Sequence, residues 1–154
     1  MREPVVCERV RTSGGPEAAF VFPARRGRIR LALTPARIVA TSAMGKVELP
    51  WKALARVEIG ALPGGRPGGR AGVRVLGITA TQPGAAVWTR GGWLGRLNRR
   101  MTPYEVSFKA DAFAGEAETI LRAIKRYQGD ARRRRSIGDE RELTRLRKEL
   151  GEHA

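Results

Sequence analysis

The sequence predicts an α+β fold: about seven strands in a small antiparallel barrel or sandwich, capped by one C-terminal helix, with a short second helix appended. Three observations lead there. Apolar and polar residues alternate in short runs between residues 18 and 110, with turn signals between the runs. The period then lengthens to that of a helix across residues 112–128. A helix with a single apolar face needs one concave partner, and successive antiparallel hairpins supply it.

The elements follow in chain order. Residues 1–16 are polar, close on "SGGPE", and read as a flexible lead-in. "AAFVF" (18–22) reads as a first strand. In "RRGRIRLALT" (25–34), Ile29, Leu31 and Leu33 fall on one face and Arg28 and Arg30 on the other. Thr34-Pro35 turns the chain into a return strand over 36–41, and "SAMG" turns it again. "KVELP" (46–50) is a short strand, "WKAL" a one-turn connection, and "ARVEIG" (55–60) another strand with Val57 and Ile59 on one face.

The Gly/Pro-rich run 61–72 is too long for a tight turn and reads as a loop. "VRVLGITAT" (73–81) and "AAVWT" (85–89) are strand-like, and residues 90–103 read as a second long loop. "YEVSFKA" (104–110) places Tyr104, Val106 and Phe108 inward and Glu105, Ser107 and Lys109 outward. In the following helix Phe113, Ala117, Ile120, Leu121, Ile124 and Tyr127 recur at helical spacing, with Asp111 as its cap and Gly129 as its terminator. A basic linker leads to the last helix. There Asp139 and Glu142 have capping-box spacing, and Leu143, Leu146 and Leu150 form a narrow stripe. The organisation is thus a lead-in over 1–16, one domain over 17–128, and a linker plus short helix over 129–154.

The 154 residues are 42% hydrophobic, enough for one core, and carry a formal charge of +15. Of the 30 basic residues 25 are arginine, a composition that raises the charge of any chain. The distribution says more. Residues 61–110 hold 8 bases and 1 acid, and no acid occurs between Glu58 and Glu105. Residues 111–154 hold 11 bases and 9 acids and nearly neutralise themselves. The positive field therefore comes from the first two thirds, and such a field favours polyanions.

The chain is expected to be non-enzymatic, with no catalytic residue, no metal ligand set and no cofactor. His153 is the only histidine and Cys7 the only cysteine, too few for a hydrolytic triad or a zinc site of the usual kind. The glycine-rich run lacks the Gly-Lys-Ser/Thr ending of a phosphate-binding loop. A lone cysteine fits a reducing compartment. The N-terminal residues lack the apolar run of a secretory signal. The expected location is cytoplasmic, with peripheral contact at the inner face of the cell membrane.

The stretch "LALTPARIVATSAMGKVELPWKALARVEIG" (31–60) resembles a bacterial pleckstrin-homology-like (PH-like) domain, with its hairpin, glycine turn, short Val-Glu-Leu-Pro strand and following "ARVEI" strand. The helix "AETILRAIKRY" is similar in place and character to the C-terminal helix of that family, and the tail "RRRRSIGDERELTRL" resembles tails of related bacterial proteins of uncharacterised role. The resemblance spans about residues 18–128. It implies the capped barrel or sandwich. It implies function only by class, because this fold hosts lipid-binding, peptide-binding and scaffolding members.

Two basic segments are candidate anion contacts. In lipid-binding relatives, bases in the first strand–loop–strand unit grip phosphates, a role that falls here on Arg25, Arg26, Arg28 and Arg30. In "VWTRGGWLGRLNRRM" (87–101), Trp93, Leu94 and Leu97 are positioned to dip into a membrane interface while Arg90, Arg96, Arg99 and Arg100 meet anionic headgroups. The preferred ligand is an anionic lipid surface. The rivals are a scaffold role with an acidic protein partner, carried by the leucine stripe and Arg132–Arg135, and non-specific nucleic-acid binding through interleaved Arg and Trp.

Overall fold

A computed structural model of the chain describes residues 5–25, 29–43, 45–62 and 72–152. Nine strands are present: β1 Val6–Thr12, β2 Gly15–Phe22, β3 Arg30–Leu33, β4 Arg37–Thr41, β5 Lys46–Pro50, β6 Leu54–Leu62, β7 Val73–Ala80, β8 Val87–Arg90 and β9 Val106–Lys109. Four helices accompany them: α1 Gly92–Met101, α2 Ala117–Tyr127, α3 Ala131–Arg134 and α4 Glu140–Glu152. A 3-10 turn over Trp51–Ala53 joins β5 to β6, where the sequence suggests a one-turn connection.

The architecture is α+β with two antiparallel sheets, of strand order β1-β2-β3-β4-β5-β8 and β6-β7-β9. The sheets do not close into a barrel, so of the two expected shapes the packed pair holds. Two strands exceed the expected seven. Val6–Thr12, expected as flexible lead-in, is a full edge strand paired to β2 from Val6↔Val21 to Thr12↔Gly15. Its polar sequence hides it, because an edge strand needs ladder bonds more than apolar side chains.

The main core lies between the sheets. Phe20, Phe22, Leu31, Leu33, Ile38 and Leu49 of the large sheet meet Val57, Leu76, Ile78 and Val106 of the small one. Helix α2 adds Ile120, Ile124 and Tyr127. The helix starts at Ala117, not after Asp111: its first cap residue is Glu116, with no side-chain cap bond. Gly129, with φ of +79°, does end it.

The other face of the large sheet buries small residues, Ala19, Val21, Ala32 and Val39. The β1–β2 turn folds over this face. Ser13 donates its N–H (3.0 Å) and Oγ (2.8 Å) to the carboxylate of Glu48 on β5. Arg37 joins that carboxylate at 3.2 Å and Glu17 at 3.1 Å. Buried acids are tolerated because each has a cation and further donors.

The C-terminal segment packs on its own domain. Leu143, Leu146 and Leu150 all enter the main core. Asp139 accepts from the N–H of Arg141 at 2.8 Å, as a cap should. Glu142 does not complete the capping box. Its Oε1 accepts instead from the Arg126 guanidinium (2.8 Å) and the Tyr127 hydroxyl (3.0 Å), which ties α4 to α2. Arg134, in the expected linker, donates to the Tyr127 carbonyl (2.9 Å) and its guanidinium lies 5.7 Å over the Trp51 ring.

Two outcomes are expected. Leu146→Ala removes a fully buried side chain and should lower the free energy of unfolding by about 2–5 kcal/mol in urea titrations. Burial, then the bond to Glu142, raises the Tyr127 phenol above its ordinary value of 10.0. The folded chain therefore keeps a proton that the unfolded chain loses. Stability should fall as pH rises above about 10, and fall less steeply in Tyr127→Phe, when urea unfolding is compared at about pH 9 and pH 11.

Candidate functional site

Residues 90–103, expected as a loop, contain helix α1. Gly91 enters it in the left-handed region, with φ of +69°. Arg99 and Arg100 lie in its last turn, where the helix dipole favours cations. Its end is closed by Thr102, whose N–H reaches the Asn98 carbonyl at 2.8 Å. Gly92 and Gly95 lie within the helix, where glycine costs about 1 kcal/mol relative to alanine. Gly95 is there for contact. A Cβ on Gly95 would stand 2.2 Å from Nε1 of Trp88, so the helix lies directly on that half-buried indole.

Hydrogen bonds hold the helix to β9. Asn98 Nδ2 donates to the Tyr104 carbonyl at 2.8 Å, and Ser107 Oγ donates to Asn98 Oδ1 at 2.9 Å. Arg99 pairs with Glu105 at 3.3 Å, and Glu105 is buried rather than outward. Tyr104 is buried as expected but on the opposite face of the small sheet. It lies over Gly60 and Gly77, where a Cβ would stand 2.1 and 2.4 Å from its ring atoms. Only Val106 and Phe108 of that run join the main core side. Burial, then the nearby Glu58 carboxylate, raises the Tyr104 phenol above its usual range.

The seat of α1 is thus glycine and amide, and most of its apolar residues point away from it. Trp93, Leu97 and Met101, spaced i, i+4, i+8, form one stripe and are 51%, 46% and 71% exposed. By helical spacing Arg96 and Arg100 flank that stripe, and both are exposed. Among the described residues neither makes an ion pair. Leu94 does not share the stripe. It is half-buried, with Cδ1 3.3 Å from where a side chain on Gly45 would begin.

The other candidates scatter. Arg26 and Arg28 lie outside the described residues. Arg30 is exposed but pairs with Glu8 at 2.5 Å across β3 and β1. Arg90 donates to the Ser42 carbonyl at 2.7 Å. Arg25 is exposed beside Ala112, to whose carbonyl its N–H bonds at 2.9 Å. Arg96, Arg100 and the Trp93 stripe are therefore the candidates brought together on one surface. Sequence reasoning named Leu97 beside Trp93 and Leu94 but missed Met101, although its four-residue spacing from Leu97 was the available signal.

A groove of about 1100 Å³ is lined by residues of both sheets and of α1. Ala40 and Val47 of the large sheet line it, Val75 and Phe108 contribute from opposite faces of the small one, and Leu94, Leu97 and Met101 of α1 run along it. Arg25, Lys109 and Asp111 stand on its rim.

Among the described residues no group of three His, Cys, Asp or Glu side chains is placed to hold a metal. Burial, then the charge of Glu140, raises the Cys7 thiol above its ordinary range, which disfavours the nucleophilic thiolate. No described helix is long and apolar enough to cross a membrane. Comparison with protein-family models, curated proteins and solved structures finds no match for this chain.

The seat of α1 is testable. Gly95→Val should force the helix off Trp88, shift the indole emission, and raise amide exchange in residues 92–101. The cost should be about 1–3 kcal/mol, the usual penalty of overpacking.

Proposed function

We propose that this chain is a non-enzymatic binding module of the PH-like type that meets an anionic membrane surface through helix α1, at the cytoplasmic face. The single observation that carries the reading is the exposed Trp93–Leu97–Met101 stripe flanked by Arg96 and Arg100. An exposed apolar stripe bordered by cations is the pattern of a helix lying in a membrane interface. Tryptophan favours that boundary, and each base near an anionic surface contributes about 1 kcal/mol. No acid lies within α1 to oppose it.

The PH-like reading draws support from element order. Strands β2–β5, then β6, β7 and β9, then α2 supply seven strands and a C-terminal helix, with the remaining elements as additions. The adaptor reading is weakened because the Leu143–Leu146–Leu150 stripe is already buried against its own domain.

Flotation with anionic and neutral vesicles at near-physiological salt, with a short nucleic acid as competitor, tests the proposal. Anionic vesicles should carry the protein up and neutral ones should not. Trp93→Ala with Leu97→Ala should keep the parent unfolding temperature and weaken vesicle binding about tenfold or more, since each buried large apolar side chain is worth about 1.5–3 kcal/mol. Binding abolished by the competitor would replace the membrane by nucleic acid, and no binding to either vesicle would overturn the reading.

A further inference from the structure

The groove shares Leu97 and Met101 with the stripe of α1, but more of its lining comes from the two sheets than from that helix. It is bounded by aliphatic and aromatic side chains over most of its length: Ala40, Val47, Val75, Trp88, Leu94 and Phe108. Its volume of about 1100 Å³ lies just above the range of small-molecule sites, which run about 300–1,000 Å³. Polar groups along it are already committed, Asn98 to Tyr104 and Ser107, and Thr102 to the Asn98 carbonyl at 2.9 Å. A polar ligand would therefore find few unsatisfied partners inside.

The rim differs. Arg25 and Lys109 are both exposed there, and among the described residues neither side chain has an ion-pair partner. Asp111 stands on the same rim, so the three charges leave it net positive by one. An apolar trough with surplus positive charge at its rim complements a ligand that is aliphatic along its length and anionic at its tip.

We propose that the groove holds one fatty acid, its chain along the apolar lining and its carboxylate at Arg25 and Lys109. This goes beyond the membrane reading, because the ligand is taken as a monomer from solution, although Leu97 and Met101 belong to both surfaces.

Laurate below its micelle concentration is the probe, titrated by calorimetry without vesicles. The parent should bind it saturably with one molecule per chain. Dodecanol, which has the same chain and no charge, should bind about two- to fivefold more weakly, as expected when an exposed ion pair is lost. Val73→Trp fills the trough from a partly exposed position on its wall and should abolish binding of both. Lys109→Glu, at an exposed position that can be changed without disturbing the core, should weaken laurate and leave dodecanol unchanged. Non-saturable uptake, or laurate binding unaltered in both variants, would overturn the inference, as would no binding by the parent. Laurate binding with no vesicle flotation would refute the membrane reading alone; flotation with no laurate binding would refute the groove alone.

Discussion

Six strands face three, and the unequal sheets set the terms for everything else. The core face of the large sheet presents more apolar side chains than β6, β7 and β9 can cover. The surplus must be buried by other elements, because exposed contiguous apolar surface is costly in water. Helices α2 and α4 take one part, with Ile120, Ile124, Leu143 and Leu146 all buried. Against β8 and β9 the cover is α1, and it is incomplete. The groove is what remains.

The way α1 is held explains its outer surface. An ordinary surface helix turns its apolar face inward. Here the inward positions are Gly95, pressed on Trp88, and Asn98, whose amide oxygen accepts from Ser107 on β9 and whose nitrogen donates to Tyr104 just before it. Contact is made by close approach and hydrogen bonds. Trp93, Leu97 and Met101 are then not needed for packing and lie exposed. The same device recurs on the small sheet, where Gly60 and Gly77 leave room for the Tyr104 ring.

Charge follows a parallel logic. The buried acids Glu48, Glu105 and Glu142 each take up an arginine, namely Arg37, Arg99 and Arg126. These pairs join β5 to β4, the segment before β9 to α1, and α4 to α2. They hold elements together and draw their bases out of the external field. Arg96, Arg100 and Lys109 lie in the stretch with almost no acid, so their charge remains available at the surface.

The sequence by itself determined the local order: alternation in β3, β6 and β9, the turn-bounded and β-branched runs of β4 and β7, and the helical period of α2. These are set by side-chain period against a single buried face, which a linear reading detects. It also marked Trp93, Arg96 and Arg100 as a group. Tertiary structure decided the rest. Strand β1 exists through its ladder with β2, and α1 through contacts that make Gly95 an asset instead of a helix breaker. Glu142 reads as a capping residue until α2 brings Arg126 and Tyr127 within reach. Leu94 reads as equivalent to Trp93 until the helix turns one outward and the other into the groove. In each case the deciding partner is distant in sequence, and only the fold brings it close.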